Sequence, residues 1–225
     1  MGQRATARKS RPRYPAAMDP TDDAIADIRR WLERAVIGLN LCPFAKAVHA
    51  KGQVRYVLSD ATTESALLAE LGEELLLLRD APADAIDTTL LVHPQVLREF
   101  LDYNDFLESA DTLVAELGLD GVLQVASFHP DYQFEGTRSD DVTNATNRSP
   151  YPTLHLLREA SVDRAVQAFG DTGQIYRNNV RTLQALGQEG WARLQTRIRD
   201  AGSDAGQAGY PPGVEGHHSV RPSSS

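Results

Sequence analysis

In the middle of the chain, the pattern of hydrophobic and polar residues switches repeatedly between one typical of strands and one typical of helices. This pattern predicts the order β-α-β-α-β. Short apolar runs at residues 54–58, 88–92 and 122–128 are typical of strands. Between them, residues 62–79 and 95–117 repeat apolar positions every three or four residues, which predicts two helices. Each helix is long enough to cross over between two parallel strands.

Further helices are predicted on both sides of this central region along the sequence. Apolar residues at helical spacing cover residues 20–39, and three more helices are expected at 151–169, 172–186 and 188–199. The second and third predicted strands are nearly all apolar, as expected when both faces of a sheet are covered. The sequence therefore predicts an α/β fold with a small, mainly parallel sheet flanked by helices on both faces.

The composition is that of a globular protein, since 41% of the 225 residues are hydrophobic and 24% are charged. This length fits a single folded α/β domain, which we expect at residues 19–200. No apolar run approaches the roughly 20 residues of a membrane span, so we expect no membrane partner. The single cysteine, Cys42, excludes an internal disulfide and is typical of the reducing cytoplasm.

The two ends of the chain differ in composition from the predicted domain. Residues 1–18 carry five Lys or Arg side chains and no acid, which predicts a disordered basic tail or a targeting peptide. Residues 201–225 are rich in Gly, Ser and Pro, which is typical of a disordered tail. Because the whole chain has a net charge of −8, the region between the tails is strongly acidic. We therefore expect no nucleic-acid partner.

Two histidines are the leading candidates for catalytic residues. His93 and His129 each follow a predicted strand and each precede a proline. If the two strands are parallel, both imidazoles lie at the carboxyl edge of the sheet, where open α/β sheets bind ligands. Neutral imidazoles there could transfer protons, with Asp131 assisting. They could equally hold a divalent metal together with His155, since a catalytic metal needs about three protein ligands.

The polar loop after the third predicted strand supplies candidates for substrate binding. These are Arg148, Asn147, Ser149, Tyr132 and Tyr151. If a helix begins after Pro150, a guanidinium beside free helix N–H groups is a suitable receptor for a small carboxylate or phosphate. The alternative is that Arg148 pairs with an acid of its own loop, such as Asp140 or Asp141, and fixes the loop in place.

Cys42 allows two interpretations. If a short helix spans residues 43–48, Cys42 occupies its N-cap, where a thiol becomes a better nucleophile. The alternative is a small buried apolar side chain, which is the usual state of a free cysteine. The absence of a second cysteine argues against a dithiol mechanism.

Three separate segments resemble one bacterial protein family. They are GLNLCPFA at 38–45, FHP at 128–130 and NRSPYP at 147–152. Together they resemble the domain of unknown function 1415 family, and the resemblance covers roughly residues 20–195. It implies a single cytoplasmic bacterial domain, and it implies no reaction.

The sequence favours an enzyme acting on a small anionic metabolite, by histidine acid–base chemistry or with a metal. The alternative is a non-catalytic protein that binds a small ligand or acts as an adaptor. No dinucleotide-binding, phosphate-loop or serine-hydrolase motif is present, so the sequence leaves the reaction open. An enzyme should show a pocket with convergent polar groups, whereas an adaptor should show a broad exposed apolar patch.

Overall fold

A computed structural model describes residues 20–169 and 172–200 of the chain. The helices there are α1 (Pro20–Trp31), α2 (Ala45–Ala50), α3 (Glu64–Asp80), α4 (Phe100–Glu116), α5 (Glu159–Phe169) and α6 (Thr172–Arg199). The strands are β1 (Val54–Leu58), β2 (Thr88–Val92), β3 (Leu123–Phe128) and β4 (Thr153–Arg158). A π-helical segment, Leu32–Ile37, follows α1, and a 3₁₀ helix, Val142–Asn147, precedes β4. The predictions for residues 1–18 and 201–225 lie outside the described residues.

The four strands form one mixed sheet in the order β1-β2-β4-β3. β1 and β2 are parallel, whereas β4 is antiparallel to both of its neighbours. Consequently β1, β2 and β3 all run in the same direction, and β4 enters between β2 and β3 from the opposite end. The predicted α/β class and the three predicted strands are confirmed. The expectation of a mainly parallel sheet is not, because two of the three pairings are antiparallel.

The fourth strand corrects the helix predicted at residues 151–169. Leu154 and Leu156 are fully buried on one side of β4, while Thr153 and His155 alternate with them. That alternation has the period of a strand, but apolar Leu157 obscures it. α5 begins directly at Glu159 with no intervening turn residue, so strand and helix give one continuous pattern in the sequence.

Two clusters of buried apolar side chains form the core. The first core cluster is built mainly from α3 and α4 and includes Leu91, Leu154 and Leu156 of the sheet. The second core cluster is built mainly from α1, the π-helical segment and α6, and includes Leu90 and Val92. Neighbouring residues of β2 thus point into different clusters, as the strand period requires.

The helices follow local signals that the sequence carries. The apolar face of α3 is Leu67, Leu71, Leu75 and Leu78, each fully buried and each contributing roughly 1.5–3 kcal/mol relative to exposure. Thr63 caps this helix by accepting a hydrogen bond from the Ala66 amide. α6 breaks at Gly187, whose φ of 67° suits glycine, where the sequence predicts a boundary between two helices. No helix in the described part of the chain is long and apolar enough to cross a bilayer.

Candidate functional site

His93 and His129 lie at the same edge of the sheet, directly after the last residues of β2 and β3. Val92 and Phe128 both pair with Thr153, the first residue of β4, so the two histidines lie on either side of the start of that strand. The His93 amide donates to the Pro152 carbonyl at 3.0 Å. Both imidazoles are completely buried.

The ring of Tyr103 contacts both imidazoles. Its centroid is 5.7 Å from that of His93 and 5.1 Å from that of His129. The Tyr103 hydroxyl donates to the Thr153 carbonyl at 2.9 Å and accepts from the Phe128 amide at 3.1 Å. Tyr103 belongs to α4 and is itself fully buried, so this helix fixes the spacing of the two histidines.

His93 is a neutral imidazole with one free lone pair. Its Nδ1 lies 3.1 Å from the Val96 carbonyl oxygen, which can only accept, so Nδ1 carries the hydrogen and Nε2 the lone pair. Nε2 is buried and has no hydrogen-bond partner. Burial lowers the pKa of His93 to about 4, with a smaller contribution from the neighbouring His129, so the ring is neutral at pH 7.

His129 differs because both of its ring nitrogens are bonded. Nε2 lies 3.3 Å from the Leu97 carbonyl and donates to it, while Nδ1 accepts from the Asp131 amide at 3.1 Å. Burial lowers the pKa of His129, and the nearby Asp131 carboxylate opposes that effect in part. His129 is therefore held in one tautomer by its surroundings.

The turn between β2 and α4 closes the edge of the sheet over these rings. The sequence predicts a helix from residue 95, but α4 begins only at Phe100. Leu97 adopts a left-handed conformation with φ of 55°, which a helix cannot include. This backbone is unfavourable for a leucine and is held by the bonds from His93 and His129 to Val96 and Leu97.

The predicted metal set of His93, His129 and His155 is not brought together. His155 alternates with Leu154 on β4 and points to the side of the second core cluster, where its ring lies 5.8 Å from that of Phe128. Its Nε2 is 2.8 Å from the Thr88 hydroxyl, and burial lowers the pKa of His155 to about 4. Among residues 20–169 and 172–200, no group of three His, Cys, Asp or Glu side chains could hold a metal ion.

The predicted anion receptor after Pro150 is wrong, since a strand rather than a helix follows it. The Arg148 guanidinium donates to the carbonyls of Tyr132 at 3.1 Å and Ser139 at 2.7 Å. Arg148 therefore fixes the polar loop in place through backbone carbonyl oxygens. The alternative given by the sequence also has Arg148 fixing the loop, but through an acidic side chain. Its own carbonyl accepts from the Trp31 indole at 2.9 Å.

The remaining loop candidates support the backbone near the histidines. The Asn147 side chain donates to the Ser127 carbonyl, and its own carbonyl accepts from the His129 amide. The Ser149 hydroxyl donates to the Tyr151 carbonyl at 2.6 Å. The Tyr151 hydroxyl donates to Asp27 of α1.

An aromatic pair connects the histidine cluster to the polar loop. The Phe100 ring lies 5.5 Å from that of His129 and 5.2 Å from that of Tyr132. The sequence analysis did not single out Phe100 as a site residue. Its spacing of three residues from Tyr103, at the start of the helix after His93, is the signal that could have identified it, because this spacing places both rings on one helix face.

Cys42 is half-buried and packs against the second core cluster, on the side of His155. The short helix α2 begins at Ala45 with Phe44 at its N-cap, so the expected N-cap position of Cys42 is wrong. The Cys42 thiol thus lies neither at the N-cap of α2 nor with the histidine pair, and either position would favour a nucleophilic role.

The chain was also compared with known proteins. Residues 23–193 match the model of a family described as protein of unknown function, DUF1415. No curated protein and no solved structure matches the chain. These comparisons supply a family and leave the activity to be inferred from the site.

Proposed function

The chain belongs to the DUF1415 family, and we propose that it is an enzyme in which His93 accepts a proton from a small metabolite. The observation that carries the proposal is the His93 Nε2 atom, a buried acceptor without a hydrogen-bond partner. Leaving such an atom unsatisfied typically costs about 1–3 kcal/mol. Groups of this kind are rare in folded proteins and are concentrated at catalytic and ligand-binding sites.

The orientation of His93 supports a role as a base. A histidine acting as a general base needs one ring N–H held by an acceptor and the other nitrogen free toward the substrate. The Val96 carbonyl provides the first, and Nε2 provides the second. His129, with both nitrogens bonded, and Tyr103, whose ring contacts both imidazoles, are positioning residues in this proposal.

The location supports the same role, since His93 follows β2 at the carboxyl edge of three strands that run in one direction. Ligands of open α/β sheets bind outside that edge. His93 is completely buried, so a substrate reaches Nε2 only if the turn at 94–99 moves. The strained conformation of Leu97 makes this turn the segment that we expect to move.

A non-catalytic ligand-binding protein is the second candidate, and the pKa of His93 favours it. With a pKa lowered to about 4 by burial, the imidazole is a weak base. A weak base accepts a hydrogen bond from a ligand hydroxyl or ammonium group more readily than it removes a proton. In this alternative the same atom recognises the ligand without transferring a proton.

The origin, location and partner of the protein are also part of the proposal. We infer a bacterial, cytoplasmic protein that acts on a small anionic metabolite and binds no nucleic acid. The single cysteine and the acidic domain support the location and the exclusion of nucleic acid. A strand and not a helix follows Pro150, so the helix N-terminus that was expected to bind an anion does not support this part of the proposal. The two core clusters support helices on both faces of the sheet.

A survey of small metabolites tests the catalytic proposal. The purified protein is incubated with a panel of small carboxylic acids, alcohols and amines in D₂O, and proton NMR detects deuterium incorporation or conversion. We expect activity on at least one compound in the wild type and in a His49→Gln control, whose side chain is partly exposed beside Glu33. His93→Gln should abolish it. Activity retained in a folded His93→Gln protein contradicts the proposal, and binding without turnover favours the second candidate.

A further inference from the structure

A second candidate site lies between the end of α6 and the turn at residues 148–150. Positions 191, 195, 198 and 199 of α6 are spaced by four, three and one residues and share one helix face. With that turn and with Trp31, they line a small cavity. The proposed function does not use this cavity.

The Trp191 indole N–H is a buried donor without an acceptor. Trp191 is only 4% exposed, and its Nε1 is buried without a hydrogen-bond partner. An indole nitrogen can only donate, so it requires an acceptor. The other tryptophan of the chain is satisfied, because Trp31 Nε1 donates to the Arg148 carbonyl at 2.9 Å. Two tryptophans lining one cavity thus differ in whether the protein supplies an acceptor.

The other polar side chains that α6 contributes to the cavity are also able to donate. Gln195 carries an amide NH₂ group, and Arg199 carries five guanidinium N–H donors in a planar fork. A ligand that satisfies all three side chains is an acceptor with more than one oxygen. Carboxylates and phosphates have this chemistry, and arginine binds both through paired hydrogen bonds.

The charge at this end of α6 is compatible with an anion. The C-terminal end of a helix is normally negative because its last carbonyls are unpaired. Here the carbonyls of Arg197 and Ile198 accept from Arg34 and Arg30 of the N-terminal helical region. Two guanidinium groups therefore offset the helix end. Asp27 of α1 is paired with Arg30.

We propose that this cavity is a binding site for an oxyanion, a carboxylate or phosphate group held by the Trp191 indole N–H, the Arg199 guanidinium and the Gln195 amide. The cavity volume is about 10 Å³, close to the least space that holds one water, so one oxygen of the group enters it and the rest stays at the surface. The oxyanion has two available sources, a free small molecule or a carboxylate of residues 201–225.

NMR of the indole N–H groups tests the site directly, because the chain contains only two tryptophans. Full-length protein labelled with ¹⁵N-tryptophan is titrated with inorganic phosphate, with acetate, and with sodium chloride as the ionic-strength control. Trp191→Phe identifies the Trp191 signal. We expect phosphate or acetate to move the Trp191 signal to saturation and the Trp31 signal by a smaller amount, because the Trp31 indole keeps its bond to the Arg148 carbonyl. Chloride should move neither signal.

Two arginine variants separate a specific contact from general attraction. Arg199→Gln should weaken the response by about tenfold or more, the typical effect of losing a charge-assisted hydrogen bond. Arg193→Gln removes the same charge from an exposed side chain, paired with Glu189, and should leave the affinity unchanged. An equal loss in both variants contradicts the proposal, since it indicates charge alone.

Variants of two acidic residues in 201–225 identify the source of the oxyanion. If Asp204→Asn or Glu215→Gln strengthens the response to phosphate, a carboxylate of the same chain competes for the site, which supports the proposed chemistry. A Trp191 signal that responds to no anion, or to chloride as strongly as to phosphate, overturns the proposal. A second sample labelled with ¹⁵N-histidine gives an independent check, because Arg199→Gln should leave the His93 signals unchanged.

Discussion

His93 and His129 donate ring hydrogens to the neighbouring carbonyl oxygens of one turn, those of Val96 and Leu97, at 3.1 and 3.3 Å. The two histidines therefore share one structural task, holding that turn across the edge of the sheet. They differ in the second nitrogen, which is bonded in His129 and free in His93. This difference is the reason for assigning proton or hydrogen-bond acceptance to His93 and positioning to His129.

Stability should fall as the pH falls from about 6.5 toward 4. Burial lowers the pKa of both His93 and His155 to about 4 in the folded protein, whereas an unfolded histidine titrates near 6.5. Between these values the unfolded state binds more protons, so acid favours unfolding, and the stabilisation is fully present only above about 6.5. The loss should be on the order of 3 kcal/mol per histidine. Urea unfolding at several pH values measures it.

A variant shows whether His93 contributes to this pH dependence. His93→Phe should reduce the slope of stability against pH, while His49→Gln, at a partly exposed position, should not. An unchanged slope in His93→Phe would mean that His93 is already protonated or exposed in the folded state.

Tyr103→Phe should destabilise the protein by about 1–3 kcal/mol, because a buried carbonyl and a partly buried amide lose their partner at once. The hydroxyl joins the Thr153 carbonyl to the Phe128 amide, and so links β4 to β3 at the site. Tyr176→Phe, at a position that is 58% exposed, is the matched control and should have little effect. Denaturant unfolding of both variants is the measurement, and equal stabilities would contradict the bridging role of Tyr103.

Arg148→Ala should loosen the loop at residues 132–139 and lower stability by about 1–3 kcal/mol, since two loop carbonyls lose a charged donor. Arg148→Lys should rescue only part of this, because an ammonium cannot reproduce the planar fork. Amide hydrogen exchange of the loop should rise in Arg148→Ala. Arg138→Ala is the control, because its ion pair with Asp140 is exposed. Unchanged exchange in Arg148→Ala would show that the loop is held by other contacts.

The sequence predicted most elements, because their signals are local. β2 was predicted at 88–92 from its apolar run, and the break of α6 at Gly187 from a single glycine. β4 was missed for a non-local reason: its place between β2 and β3 depends on pairing partners far away in the chain. The position of His93 at the carboxyl edge could be predicted from the strand and the following proline. The free Nε2 atom could not, because it depends on the turn geometry at Val96 and Leu97.

Cys42 should react slowly with a thiol reagent in the native protein. Its side chain is half-buried against the second core cluster, and it does not occupy the N-cap of α2. Reaction should become fast in denaturant, which exposes the same thiol and serves as the control. Native labelling as fast as in denaturant would restore Cys42 as a candidate nucleophile.

The most direct test of the central claim is the ¹⁵N NMR signal of His93 Nε2 in histidine-labelled protein at neutral pH. Glycerol, glycolate and methylammonium are added as small hydroxyl, hydroxy-acid and amine probes. We predict that at least one of them moves the Nε2 signal of His93 to saturation while the signals of His155, whose Nε2 is bonded to Thr88, stay in place. A His93 signal that responds to none of the probes, in a protein that remains folded, would contradict the account, since it would leave His93 a purely structural side chain.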